Sequence, residues 1–226
     1  MKVFTYIKND SNRVKRKNFR SLDPAKNKHP LWKNLIYELK EFDTYIDTDS
    51  KQVIRDCKKD FKNVTAYPRD QKFIDLENDP NNKASPALLM VDNFLDRYVE
   101  NENECIVLTH VTSPFLTAET VKDAASYIGE YDFVHSIHSI QDFAWIGDSF
   151  KPVNFDPSYV QRTQDVEKIH FSSGAFFIFT KKSFKKYNNR IGPNTFYYPL
   201  NHVEAIEIDT EDDLEFAQIV LRGIYA

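Results

Sequence analysis

The sequence predicts an α/β protein, a three-layer arrangement in which a mostly parallel sheet carries helices on both faces. Three observations point there. Short apolar runs alternate along the chain with segments at helical spacing. The run Cys105-Ile-Val-Leu-Thr-His-Val111 is apolar on most residues, as a central buried strand requires. Helix-start signals at Ser50, Thr117 and Thr210-Glu-Asp-Asp213 stand shortly after apolar runs.

Taken in order, residues 3–7 form a first strand that opens into a polar loop. Residues 30–40 place Leu31, Leu35 and Leu39 on one helical face. Residues 42–49 alternate Phe42, Thr44, Ile46 and Thr48 with Asp43, Tyr45, Asp47 and Asp49, the period of a strand. Asp47 and Asp49 are expected to cap the following helix, over 51–59, together with Ser50. A third strand covers 64–67, and 68–83 reads as a long polar loop with two prolines and many Asn and Asp residues. A helix over 85–98 turns Leu88, Val91, Phe94 and Leu95 inward. The central strand ends in Thr112-Ser113-Pro114, and Thr117 starts a helix to about residue 129. A strand over 132–140 leads to a loop-rich region, 141–168. Then come a strand over 171–180, a short basic helix over 181–187, and strands over 196–200 and 204–209. The last helix runs through residue 221.

Size and composition bound the possibilities. At 226 residues with 18 Phe and 12 Tyr, the chain can build one sizeable core, read as a single domain over 1–226. A net charge of −4 excludes a general nucleic-acid binder. Cys57 and Cys105 are too few for a disulfide framework and lack metal-ligand spacing, so a reducing, cytoplasmic setting is expected. The apolar stretch at the N-terminus is too short for a signal peptide, and no run reaches the length of a membrane span. A membrane is therefore not an expected partner.

The most informative segment is the loop after the first strand. Lys8, Arg13, Lys15, Arg16 and Lys17 crowd it, among the turn formers Asn9, Asp10, Ser11 and Asn12. Cations neutralise phosphate charge while backbone N–H groups and a Ser hydroxyl bind its oxygens, so the loop suits a polyphosphate. By itself it suits a solvated basic turn as well. It has no glycine, which excludes a P-loop and a dinucleotide fingerprint. An exposed loop lysine contributes little stability, so replacing Lys17 is expected to leave the fold intact.

The order of motifs decides between these readings. Lys8-Asn-Asp-Ser11 followed by Lys17-Asn18 fits the spacing R-x-x-S-x-x-x-x-x-K-N, with Lys8 in place of Arg. Pro30-Leu31, Asp47-Thr48-Asp49 and His110-Val-Thr112-Ser113-Pro114-Phe115 follow in sequence. Arg162-Thr-Gln164-Asp165, Ser173-Gly174-Ala175 and Glu207-Ile-Asp209-Thr-Glu-Asp-Asp213-Leu214 complete the series. In this order the chain resembles the N-acylneuraminate (sialic acid type) cytidylyltransferases over almost its whole length. The fold implied is that of nucleotide-diphospho-sugar transferases.

The resemblance implies transfer of CMP from CTP to a nonulosonic or related 2-keto sugar acid, with release of pyrophosphate and with Mg²⁺ as cofactor. Lys8 and Lys17 are then the catalytic cations on the phosphates, and Ser11 and Asn18 add hydrogen bonds. Lys8 brings a point charge where the family has a guanidinium fork. Arg69 and Ser85 flank the loop with which the family reads cytosine. Thr112 and Ser113 face nucleotide and sugar, and His110 stands where the family has Gln. Arg162 and Gln164 belong to the sugar side, where an Arg can hold a carboxylate bidentately. Glu207 and Asp209, alternating on the expected strand, put two carboxylates on one face for Mg²⁺, with Asp209 the firmer ligand. The family further implies a homodimer, with about 142–168 reaching toward the partner. The same fold acting with another nucleotide, or on a phosphorylated sugar or alcohol, stays open. So does a degenerate sugar-nucleotide-binding domain, given the departures at Lys8, His110, Ser173 and Glu207.

Overall fold

The computed structural model describes residues 1–11, 13–23, 29–82 and 85–224. Asn12 in the basic loop and Lys83 at the end of the expected polar loop lie outside the described residues. The first half runs β1 (Lys2–Ile7), α1 (Leu31–Glu38), β2 (Asp43–Thr48), α2 (Lys51–Asp60), β3 (Val64–Pro68), α3 (Gln71–Asn78), α4 (Ala87–Tyr98) and β4 (Cys105–Thr109). The second runs α5 (Ala118–Ala125), β5 (Phe133–Ile140), a small hairpin of β6 (Trp145–Ile146) and β7 (Lys151–Pro152), β8 (Ile169–Thr180), α6 (Lys181–Tyr187), β9 (Thr195–Pro199) and α7 (Glu211–Ile224).

Seven strands form one sheet in the order β3-β2-β1-β4-β8-β5-β9. All neighbours are parallel except that β8 runs antiparallel to β4 and β5. The β1 alternation divides the core. Val3 and Ile7 face Trp32, Leu35, Val53 and Val121 of α1, α2 and α5. Phe4 faces the other way, stacked on Phe94 of α4 with ring centroids 4.5 Å apart. A third cluster, Leu22, Leu31, Ile208, Leu214 and Ala217, anchors α7.

The expected caps are present where a side chain has a nearby N–H to satisfy. Ser50 accepts from Val53 N–H, and Thr117 accepts from Thr120 N–H. Thr210 and Asp213 bond reciprocally, side chain to backbone, at the start of α7.

Two expected elements are corrected. The polar stretch 68–83 contains α3, because Gln, Lys, Leu and Glu are good helix formers and Phe73 supplies one fully buried anchor. No strand forms over 204–209. The backbone groups a ladder needs are taken by side chains and by one loop bond: Lys17 occupies the Ile208 carbonyl, and the Asp213 carboxylate takes the N–H groups of Asp209 and Thr210. Ile208 N–H donates instead to the Thr112 carbonyl, 2.8 Å away.

β8 carries the feature that shapes the site. Its pairing with β5 shifts between His135 and Ile137, so residues 173–176 of β8 bulge opposite Ser136. Gly174 sits there at φ +70°. The Ser136 hydroxyl holds the bulge by accepting from Phe176 N–H and donating to its carbonyl, each at 3.0 Å. Among the described residues no helix is long and apolar enough to cross a membrane.

Candidate active site

The basic loop leaves β1 at Ile7 and folds back on itself. Val14 plugs it into the core, Arg16 reverses the chain at φ 53°, and Lys17–Phe19 form a single 3-10 turn. Asn18 Nδ2 donates to the Lys8 carbonyl at 2.9 Å, tying the two ends of the loop together. Lys17, expected to be exposed, is 7% exposed. Its Nζ donates to the Ile208 carbonyl at 2.6 Å and to Asp209 Oδ1 at 3.1 Å. The ammonium is thus a structural clasp between loop and acidic segment, which corrects the expectation that it leaves stability untouched.

Ile208 joins three motifs that lie far apart in sequence. Its carbonyl binds Lys17, its N–H binds the turn after β4 at Thr112, and its side chain is fully buried with α7. Glu207 and Asp209 therefore flank a fixed point. Glu207 Oε1 accepts from the Thr112 hydroxyl at 3.3 Å. A Cβ on Gly174 would lie 2.7 Å from Glu207 Oε2, so the bulge glycine makes room for this carboxylate. Burial, reinforced by the negative charge of Asp209, holds the Glu207 carboxyl above its ordinary value. Asp209, the expected firmer ligand, receives Lys17 and, at 2.6 Å, Arg13 on its Oδ1.

A second cluster lies beside the loop. Arg69, at the end of β3, is buried and donates to Asp47 Oδ1 at 2.6 Å and to Glu77 Oε2 at 2.9 Å. Lys8 reaches the same Glu77 oxygen at 3.4 Å with its side chain 37% exposed. Asp47 and Asp49 are not helix caps. Asp47 is consumed by Arg69, and Asp49 accepts from Asn9 N–H at the foot of the loop. Ser11 N–H bonds Asp10. Ser85 is exposed and accepts from Ala87 N–H at the start of α4. Ser113 is buried, and its hydroxyl has no partner among the described residues.

Beyond the turn, His110 Nε2 lies 2.9 Å from the Tyr6 hydroxyl, and its ring meets the edge of Phe177. Burial, with the nearby positive charge of Arg190, lowers the His110 imidazole to about 4. His135, stacked on Phe177 at 4.3 Å, is likewise lowered by burial to about 4. Both rings are neutral at physiological pH. Arg190 and Glu77 escape any motif reading: Glu77 lies in the stretch that reads as a loop, and Arg190 follows a short helix with no pattern around it. The only local hint for Arg190 is the Asn188-Asn189 turn that stops α6.

The sheet brings Lys8, Ser11, Lys17, Asn18, Arg69, Thr112, Ser113, His110, Glu207 and Asp209 to the ends of β1, β3 and β4 and the loops beside them. Among the described residues no hydrogen bond or ion pair joins Arg162 or Gln164 to them. Both are exposed on a 3-10 turn, Arg162 Nε donates to Asp165 at 2.6 Å, and the Gln164 carbonyl accepts from Gln141. Among the described residues no group of three or more His, Cys, Asp or Glu is placed to hold a metal.

No family model matches the chain. The N-acylneuraminate cytidylyltransferase of Streptococcus agalactiae serotype III (strain NEM316) is 27% identical to it over 134 residues. That match covers 55% of this chain and 31% of the relative, so the chain spans about a third of the length of the curated relatives it matches. The protein of the same name from Streptococcus agalactiae serotype Ia gives the same figures. The resemblance to that family holds. Among solved structures, CMP:2-keto-3-deoxy-manno-octonic acid synthetase complexed with CTP superposes with a TM-score of 0.64 at 10% identity, covering 98% of both chains. The 4-diphosphocytidyl-2C-methyl-D-erythritol synthase of Anaerococcus prevotii DSM 20548 gives 0.63 at 12% identity, covering 97% of this chain and 98% of that one. At such identities the likeness establishes the fold alone.

Two outcomes are expected here. Lys17→Met strands the Ile208 carbonyl and should cost roughly 1–3 kcal/mol in urea denaturation; an unchanged midpoint would show that the clasp carries no stability. The unfolded chain protonates its histidines near pH ~6.5, whereas His110 and His135 resist in the fold, so stability falls as pH drops from there toward about 4. His110→Gln should make that fall shallower, and identical slopes for variant and wild type would contradict the buried neutral ring.

Proposed function

We propose that the chain is a cytidylyltransferase that transfers CMP from CTP to an acidic 2-keto sugar and releases pyrophosphate. The observation that carries this reading is the meeting at Ile208 of the basic loop, the Thr112–Ser113 turn and the Glu207/Asp209 pair. These are three of the motifs in which the chain resembles the N-acylneuraminate cytidylyltransferases, whose curated members match this chain over part of their length.

The acceptor hydroxyl oxygen attacks the α-phosphorus of CTP, the bond from that phosphorus to the bridging oxygen of the β-phosphate breaks, and the hydroxyl proton passes to solvent. Pyrophosphate leaves with the bridging oxygen. Lys8 and Arg13, held only at their tips by Glu77 and Asp209, can turn their charge to the triphosphate. Lys17 acts through position, fixing Asp209 and the loop. Asn18 keeps the loop closed so that the Ser11 side and its backbone face the phosphates. Arg69 is pinned in plane by Asp47 and Glu77, and with Ser85 it borders the place for cytosine. Ser113 offers an unpartnered hydroxyl to the bound substrates.

Glu207 and Asp209 fit Mg²⁺. The charge of Asp209 acts on Glu207, no cation pairs with Glu207 among the described residues, and the missing ligands are those that substrate phosphates and water supply. There the ion would neutralise charge building on the phosphate oxygens. The unpaired thiols of Cys57 and Cys105, raised by burial to about 12 and about 11, stay protonated and suit the reducing cytoplasm.

Residues 142–168 expose Trp145, Ile146, Phe150 and Val160 around the β6–β7 hairpin, which supports their reading as a dimerisation extension. Trp145→Asp should convert a dimer to a monomer in light scattering; a wild-type monomer at tens of micromolar would refute the dimer. For the reaction, CTP should raise Tm more than UTP, GTP or ATP, and stabilisation by UTP alone would sink the CTP assignment. Pyrophosphate should appear with Mg²⁺, CTP and one of N-acetylneuraminic, legionaminic, pseudaminic or ketodeoxyoctonic acid. CTP binding with silence across all four would leave a sugar-nucleotide-binding domain without this activity.

A further inference from the structure

Among the described residues Arg190 is a half-buried cation near the site that the cytidylyl-transfer chemistry does not use. Its backbone is fixed. Asn188 ends α6 at φ 48°, and Asn189 Oδ1 accepts from Arg190 N–H at 2.7 Å. Two residues on, Gly192 lies so close to Phe133 that a Cβ would meet the ring at 2.4 Å. The side chain is half-buried, with its guanidinium carbon 3.8 Å from the centroid of the Phe177 ring. Stacking of that kind fixes the plane of the guanidinium, whose edge donates to the Tyr6 hydroxyl and keeps further N–H groups for a ligand.

Among the described residues no carboxylate forms an ion pair with Arg190, although Lys8, Arg13, Lys17 and Arg69 each have one. What Arg190 meets is neutral. Its charge acts on the Tyr6 hydroxyl, His110 and His135, three groups that all lie against Phe177 or one another. His135 is buried and its Nδ1 has no partner among the described residues. The ring of Tyr197, half-exposed, stands edge-on to His135 at 6.2 Å. A half-buried guanidinium that has only a neutral hydroxyl on its edge and no carboxylate among the described residues, between aromatic walls, is a seat for an anion.

The kind of anion follows from charge. Lys17 and Arg69, whose charge also reaches His110 and Tyr6, are already paired with carboxylates, so among the described residues Arg190 is the unpaired cation here and a monoanion balances it where a phosphate dianion would stay half-compensated. A planar carboxylate also matches the fork with two parallel N–H···O bonds. The seat adjoins His110, two residues before Thr112, and Tyr6, two residues before Lys8, so a ligand held here lies next to the nucleotide wall.

We propose that Arg190 seats the carboxylate of the acceptor sugar acid, and that Arg162, engaged by Asp165 on an exposed turn, does not. The proposal rests on the cytidylyl-transfer reading and names the acid-recognising residue of the same site. It predicts that an acid group on the acceptor is required and that neutral sugars of the same size are refused.

The test is titration calorimetry of the full chain, saturated with CTP in the absence of divalent ion, with N-acetylneuraminic acid and ketodeoxyoctonic acid as probes. At least one should bind. Arg190→Met should weaken that binding roughly 100-fold, Arg190→Lys less, and Arg162→Met not at all. The CTP-induced rise in Tm, equal in all proteins, shows that the variants are folded. An Arg190→Met protein that binds the acid as wild type does, or an Arg162→Met protein that loses it, overturns the proposal. Failure of both acids to bind wild type overturns it as well. Pyrophosphate release by wild type, measured in parallel with Mg²⁺, reports on the reaction itself: turnover with an unaffected Arg190→Met protein refutes the seat and leaves the reaction standing.

Discussion

The backbone of Ile208 is the point on which the site depends. A buried carbonyl must find a donor, and this one finds the ammonium of Lys17, which in turn pulls the basic loop against the acidic segment. The N–H of the same residue closes onto Thr112, and its side chain is sealed into the cluster that seats α7. One residue thus converts three stretches, separated by about a hundred residues each in the sequence, into a single wall. The cost of burying an ammonium is offset because it gains a carbonyl and a carboxylate at once, the condition under which a buried charge is tolerated.

Charge on this wall is arranged in closed sets with two exceptions. Asp47, Arg69, Glu77 and Lys8 form one chain of alternating sign, and Arg13, Lys17 and Asp209 form another. Glu207 and Arg190 stand outside both. Glu207 is held by a hydroxyl and shaped by a glycine in a bulge, and Arg190 by an aromatic face. Leaving a charge without its opposite is costly in a partly buried place, and proteins keep such an arrangement where a ligand completes it. A cation at Glu207 and an anion at Arg190 are the ligands proposed to complete them.

Much of this was legible in the sequence because the signals are local. Strand ends, caps and the Lys8-to-Asn18 spacing depend on neighbours within a few residues, and Ser50, Thr117 and Thr210 behave as their side chains dictate. Apart from α3, whose helix formers stand among loop-like residues, the misreadings share one cause, backbone and charge satisfied from afar. The alternation Glu204-Ala-Ile-Glu-Ile-Asp209 mimics a strand, yet Lys17 and Asp213 claim the groups a ladder would use. Asp47 reads as a cap because nothing local reveals Arg69, 22 residues on. Arg190 is invisible for the same reason: its importance arises only when β8 brings Phe177 beneath it.

The central claim is that the Ile208 junction forms one wall of a CTP triphosphate site, and a crystal structure of the protein soaked with CTP and Mg²⁺ tests it most directly. The account predicts the α-phosphate between the Lys8–Asn18 loop and the Thr112–Ser113 turn, with density for a divalent ion against Glu207 and Asp209. A nucleotide bound elsewhere, or a triphosphate whose oxygens touch neither the loop nor that turn, would contradict it.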